Sequence, residues 1–222
     1  NTAVGRSALY STTTGTNNVA VGKDTLFANT TASNNTAVGQ AALSANTTGD
    51  YNTAMGTTAL DACTTGSRNV AVGYSAAGAI TTTIKNVAIG MDSLASMVTG
   101  DGYNTAIGNA ASYSNTTGSY NASLGASAMY ANTTGAYNTA VGYTALDANT
   151  TANHNTAIGK GALTSNTTGA QNTSVGSNSM DANTTASENT AVGYAALNVN
   201  TTGAENTTVG AYSLDANTTG DY

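Results

Sequence analysis

The chain has 222 residues, of which 25 are Gly, one is Phe and one is Cys, while Pro and Trp are absent. Charged residues make up 7% of the chain and the formal net charge is −6, whereas an ordinary soluble domain carries about 25% charged residues. Large apolar side chains are too scarce for one deep core. The acidic balance argues against nucleic acid or an anionic membrane as a partner. A membrane span needs an apolar run of about 18 residues or more, and without one we expect no membrane insertion.

The sequence is an internal repeat, in which an Asn begins a new unit at every seventeenth position and one unit is longer by a single residue. A consensus for the unit is NTAVGYTALDANTTGAY, and position numbers below count from its first Asn. Position 5 is always Gly and position 4 is always aliphatic. We therefore predict a single repeat array over residues 1–222. Its thirteen units begin at Asn1, Asn18, Asn35, Asn52, Asn69, Asn86, Asn104, Asn121, Asn138, Asn155, Asn172, Asn189 and Asn206.

The unit pattern predicts extended chain. Seventeen residues are too few for a helix pair, and Gly, Asn, Thr and Val are poor helix formers. The unit predicts a short strand at positions 2–4 and a corner at Gly5, where the backbone needs positive φ. A second strand is predicted at positions 8–11, followed by an Asn-Thr-Thr-Gly return turn. The predicted fold is all-β: an elongated parallel β-solenoid or β-roll of thirteen 17-residue coils, about 60 Å long.

Stacking of such coils places identical residues over one another, about 4.8 Å apart. The Asn side chains at position 1 are then expected to bond along the axis as a ladder, and the Thr at position 14 to do likewise. Stacking also explains the scarcity of charge, because like charges one strand apart repel each other. The predicted structural ladder comprises Asn1, Asn18, Asn35, Asn52, Asn138 and Asn155 with the corner residues Gly5, Gly22, Gly39 and Gly142.

Positions 3 and 4 are both apolar, yet neighbouring side chains in a strand point to opposite sides. We expect the aliphatic residue at position 4 and the Leu at position 9 to fill the interior. The usual Ala at position 3 would then form an outer strip, which two or three chains could bury along their length. Alternatively, the chain's own loops cover the strip, or it stays exposed.

The repeat is irregular over about residues 63–103. Position 12 is Asn in nine units, but three successive units carry Cys63, Ile80 and Met97 there, and the extra residue falls near Asp101 and Gly102. Either the coil cross-section changes or bends in this region, or the three apolar side chains form a docking patch for another chain.

The motifs NTAVG, NVAIG and NTAIG, followed by small residues and Leu, resemble the SVAIG-type head repeats of trimeric autotransporter adhesins. They are also similar to the Asn/Thr/Gly-rich repeats of bacteriophage tail fibres. The resemblance implies a β-roll, a homotrimer, and a place on an extracellular, cell-surface or virion fibre. The adhesin repeats are shorter than the unit of this chain, and the excess here lies in the Asn-Thr-Thr-Gly arc.

Catalytic chemistry is not expected, because the chain has one His, one Cys and scattered acids, whereas catalysis needs converging titratable groups. We predict no catalytic, cofactor-binding or metal-binding residues. His154 is predicted to be a solvated loop residue. Tyr74, Tyr143 and Tyr194 at position 6 are candidate contacts for a sugar or a host surface, or simply aromatic cover for a thin roll.

We therefore expect a non-enzymatic structural segment, shaft or head, of an extracellular or virion adhesive fibre. It would be a homotrimer that contacts a host receptor or glycan, with no nucleic acid and no cofactor. The alternatives are a self-assembling end-to-end homopolymer of filament subunits, and an ice- or glycan-binding β-solenoid. Ice binding would require a flat array of paired Thr. The two adjacent Thr of Asn-Thr-Thr are expected to face opposite sides of an extended segment, which argues against such an array.

Overall fold

The structure is a computed structural model and describes residues 1–221. It contains thirteen strands of three residues each, and each strand begins one residue after the Asn that opens its unit. The strands are β1 (Thr2–Val4), β2 (Val19–Val21), β3 (Thr36–Val38), β4 (Thr53–Met55), β5 (Val70–Val72), β6 (Val87–Ile89), β7 (Thr105–Ile107), β8 (Ala122–Leu124), β9 (Thr139–Val141), β10 (Thr156–Ile158), β11 (Thr173–Val175), β12 (Thr190–Val192) and β13 (Thr207–Val209).

The chain divides into two compact units, Asn1–Ala110 and Ala111–Tyr222. In the first unit, β1 to β7 pair in chain order, each parallel to the next. In the second unit, β8 to β13 do the same. Equivalent positions always pair, so Ala37 faces Ala54 and Ala140 faces Ala157. Each unit is therefore a parallel β-solenoid of 17-residue coils, and the predicted all-β fold is confirmed.

Glycine at position 5 ends every strand at a corner. All thirteen of these glycines have positive φ, for example 133° at Gly39 and 136° at Gly142. A Cβ on Gly142 would lie 2.5 Å from the carbonyl oxygen of Gly159 in the next coil. The prediction of a glycine corner is confirmed, and two constraints act there together: the backbone conformation and the close approach of the neighbouring coil.

The predicted second strand at positions 8–11 is wrong. Positions 7 and 9 have positive φ, 57° at Ala41 and 51° at Leu43, so this segment is not extended. As a result Ala42 and Leu43, although adjacent in sequence, both point inward and are completely buried. The segment still bonds along the axis, since the N–H of Leu43 donates to the carbonyl of Ala59 in the next coil at 3.0 Å.

The two faces of the strand are the reverse of the prediction. Ala37, Ala54 and Ala140 at position 3 are fully buried, whereas the aliphatic side chain at position 4 is never buried and is 46% exposed at Met55. The coil encloses too little space for both Leu at position 9 and a branched residue at position 4. The small residue therefore faces inward, and the outer Ala strip that the sequence suggested does not exist.

We expect Gly142→Ala to destabilise the protein by about 2 kcal/mol or more, because φ near 136° is nearly exclusive to Gly. Urea unfolding followed by circular dichroism measures the change. Gly161→Ala is the matched control, since position 7 already holds Ala in the coil of Ala41 at a similar φ. A Cβ there would meet only the end of a side chain, Oδ1 of Asn178 at 2.8 Å, so we expect a cost of about 1 kcal/mol, the lower end of the range for an L residue with left-handed φ. Equal losses in the two variants would contradict this account.

Candidate functional site

A column of buried Asn side chains at position 1 joins successive coils. The backbone N–H of Asn52 donates to Oδ1 of Asn35 at 2.8 Å, and that of Asn155 donates to Oδ1 of Asn138 at 2.9 Å. The Nδ2 group of Asn155 donates to the carbonyl of Gly169, within its own coil, at 2.9 Å. The predicted axial ladder is confirmed, but most of its axial links join a side chain to backbone, and each carboxamide also closes its own coil.

Position 12 forms a second buried column, in which the carboxamides bond directly to each other. Nδ2 of Asn149 donates to Oδ1 of Asn132 at 2.8 Å, and Nδ2 of Asn183 donates to Oδ1 of Asn166 at 2.9 Å. Each Nδ2 also reaches the carbonyl of position 15 in its own coil. Asn-Thr-Thr, an acceptor sequence for N-glycosylation, begins at this position in nine coils. In eight of these coils the Asn, for example Asn132, has no exposed surface and is closed to modification in the folded chain, whereas Asn217 is partly exposed.

The apolar break in this column is interior, so the predicted docking patch is wrong. Cys63, Ile80 and Met97 have no exposed surface and cannot contact another chain. The Cys63 thiol takes the place of the Asn amide, lying 3.5 Å from the carbonyl of Gly66. Burial raises the pKa of that thiol to about 11. The break changes the contents of the coil while the parallel strands β4 to β7 keep their register.

The threonine ladder runs at position 13 and not at position 14 as predicted. The hydroxyl of Thr47 donates to the carbonyl of Thr64 at 3.1 Å, and coils in both units repeat this bond. Thr at position 14 is exposed in every coil, as at Thr48 and Thr134. Thr at position 13 is half-buried in most coils and exposed at Thr13 and Thr218. It is therefore the less exposed of the two adjacent Thr in most coils, but it is not hidden from the surface.

The most regular apolar feature on the surface is the position 4 column, which we call the aliphatic ridge. None of its thirteen side chains is buried, and within each unit they lie in register on adjacent parallel strands. The strand residue at position 2, Thr or Val in twelve coils, lies on the same side and is also never buried. The ridge consists of Val4, Val21, Val38, Met55, Val72, Ile89, Ile107, Leu124, Val141, Ile158, Val175, Val192 and Val209.

The tyrosines predicted as surface contacts are exposed: Tyr74 by 57%, Tyr143 by 58% and Tyr194 by 49%. They are three or more coils apart and do not stack on one another. Stacked rings occur instead at position 10, in two pairs of adjacent coils, and at position 17, where Tyr137 lies between Tyr120 and His154 with centroid separations of 5.0 and 5.1 Å. His154 is exposed as expected, and its packing against a tyrosine ring was not foreseen.

Within residues 1–110, position 17 also carries two cations on adjacent coils, Arg68 and Lys85. Tyr51 and Tyr103 lie on the coils to either side. All four side chains are exposed. The repeat pattern does not single out position 17, because its residue type changes from unit to unit. The available signal was the recurrence of basic residues at one position in two consecutive units, in a chain with only five Lys and Arg.

Within residues 1–221, no group of three His, Cys, Asp or Glu side chains is placed to hold a metal ion. The same residues contain no long apolar helix of the kind that spans a membrane. Comparison of the chain with protein-family models, with curated proteins and with solved structures finds no match in any of the three.

We expect Asn155→Ala to lower the free energy of unfolding by about 2 to 4 kcal/mol. It leaves the buried N–H of Asn172 without its carboxamide acceptor, which costs about 1 to 3 kcal/mol. It also removes one of the two donors to the carbonyl of Gly169, which keeps Nδ2 of Asn166, and the lost hydrogen bond contributes about 1 kcal/mol more. Chemical denaturation checks this value. Asn153→Ala is the control, because Asn153 is exposed and its Oδ1 serves only an exposed N–H, that of Ala136. Equal losses would show that burial of the column is unimportant.

The Cys63 thiol should react with iodoacetamide at pH about 8 far more slowly in the native protein than in concentrated urea. It is buried, and its pKa of about 11 leaves little thiolate. Because the folded state holds this proton more tightly than the unfolded chain, its contribution to stability is lost as the pH rises from about 9 to about 11. Mass spectrometry follows the alkylation, and similar rates in both conditions would contradict the buried placement.

Proposed function

We propose that the chain is a non-enzymatic structural segment, shaft or head, of an extracellular or virion fibre, and that three copies associate side by side along the aliphatic ridge. The observation that carries this proposal is the ridge itself. Its outward aliphatic side chains recur once per coil in both units, and a regular exposed apolar surface of this kind commonly marks an interface.

The periodicity of the ridge favours a second and third copy of the same chain as its partners. Any partner must offer apolar groups at the spacing of parallel strands, about 4.8 Å, over many coils. A copy of this chain meets that requirement at every coil, because its own position 4 residues have the same spacing. Closed symmetric association also buries the ridge without creating an open aggregate.

The internal bonding suits a mechanical role. Position 1 carboxamides, position 12 carboxamides and position 13 hydroxyls all bond from coil to coil in both units. Bending a coil away from its neighbour would break several of these bonds together. The resemblance of the repeated NTAVG and NTAIG motifs to adhesin heads and tail-fibre repeats supports the same role for the chain.

Light scattering of the purified chain at several concentrations tests the trimer. We expect a constant mass of three chains of 21.8 kDa. In a trimer of the variant Val38→Lys/Val141→Lys, each substitution would place three ammonium groups around one apolar seam. Because these charges repel each other and lose water, we expect the variant to be monomeric. The folded content by circular dichroism should not change, because both side chains are already partly exposed.

The matched control is Val98→Lys/Val199→Lys, which alters two valines outside the ridge that are 44% and 38% exposed. This variant should keep the mass of three chains. A wild-type chain that is monomeric at all concentrations would overturn the trimer, and a mass that grows with concentration would favour the end-to-end filament instead.

A further inference from the structure

The two units differ in charge. Residues 1–110 contain four basic and five acidic residues, whereas residues 111–222 contain one basic and six acidic residues. Of the four cations in the first unit, Arg6 and Lys23 both lie near Asp24, at 3.9 and 3.6 Å from its carboxylate. Arg68 and Lys85 form no ion pair with any carboxylate among residues 1–221. The two cations of the first unit that have no carboxylate partner are therefore neighbours on adjacent coils.

The geometry around this pair is specific. Equivalent backbone positions on adjacent coils lie about 4.8 Å apart, so Arg68 and Lys85 bring two like charges to neighbouring coils, an arrangement that an anion bound by both would stabilise. Lys85 Nζ donates to the Tyr103 hydroxyl at 2.6 Å and lies 4.6 Å from the ring centroid, which fixes the ammonium group and leaves it further N–H donors. Arg68 keeps its fork of donors, which matches a carboxylate or sulfate in two-point contact.

We propose that Tyr51, Arg68, Lys85 and Tyr103 form a binding site for an acidic sugar, one that carries a carboxylate or a sulfate group. The two cations take the anionic group, and the rings of Tyr51 and Tyr103, 58% and 40% exposed, offer apolar and hydrogen-bonding surface to the neighbouring sugar rings. The outer tyrosines are three coil steps apart, about 14 Å, which accommodates a short oligosaccharide.

The surroundings favour a sparsely charged ligand over nucleic acid. Asp50 and Asp101 lie one and two residues before the two tyrosines, and the Asp50 carboxylate accepts the N–H of Ser33 at 2.6 Å. Carboxylates near both ends of the site oppose a continuous chain of phosphates, whose binding requires many basic contacts. A single anionic group placed between the two cations meets no such opposition.

Biolayer interferometry on the intact chain tests the site with polyacrylamide conjugates of sialyllactose, of sulfated lactose and of unmodified lactose. We expect the sialylated or the sulfated conjugate, or both, to bind, and lactose to bind at least about tenfold more weakly. Comparison of the two charged conjugates shows whether carboxylate or sulfate is preferred. Equal binding of all three conjugates, or equally tight binding of single-stranded DNA, would overturn the proposal.

Arg68→Asn/Lys85→Asn should lose about tenfold or more in affinity. Asn is chosen because Asn17 and Asn34 occupy the same position at φ of 59° and 61°. Arg6→Gln/Lys160→Gln removes two positive charges elsewhere and should bind as tightly as the wild type. An equal loss of affinity in this control would show that net charge, and not the proposed site, determines binding. Tyr51→Asn should also weaken binding, and unchanged affinity would exclude a sugar-ring contact. The readout is binding and not mass, so it is separate from the test of the trimer.

Discussion

The position 1 carboxamide, buried in every coil after the first, makes the interactions on which the rest of the structure depends. Its oxygen accepts the N–H of the next coil while its nitrogen donates to the carbonyl that closes its own coil, as at Asn155. Asp lacks the donor and would bury a charge, and Ala lacks both groups. Because each Asn must meet the next at one strand spacing, the chain has to return to the same place after each circuit. Twelve of the thirteen units do so in 17 residues, and the longer unit keeps the same bond, from the N–H of Asn104 to Oδ1 of Asn86.

This constraint also sets the thickness of the coil. With two carboxamide columns inside, little room is left, and it is filled by Ala at positions 3 and 8 and by Leu or Met at position 9, as at Ala140, Ala145 and Leu146. The backbone adapts by placing Leu146 at φ of 54°, a conformation that is unfavourable for a bulky residue. Repetition of the same bonds in successive coils holds it there.

Those features explain how far the sequence alone could lead. The strand at positions 2–4, the corner at Gly39 and the column of Asn35 follow from residue type and period, and all are present. The sequence does not predict which of Ala37 and Val38 points inward. Alternation along a strand requires only that the two side chains point to opposite sides. That choice depends on the width of the coil, which positive φ at Ala41 and Leu43 reduces. Local sequence gives little warning of positive φ at Ala or Leu.

Because the small residues face inward, the aliphatic and variable side chains form the outer surface and are the ones available for contacts with other molecules. The axial bonds join coils of the same chain, so the proposed side-by-side association uses outward side chains, and the ridge that includes Val38 and Val141 is the most regular set of these. Position 17, which carries Arg68 and Lys85 on two adjacent coils, forms a column separate from the ridge. In the proposed fibre, one column joins the chains and another binds the ligand, so the second column can vary without disturbing the first. Position 17 does vary, while position 4 remains aliphatic throughout.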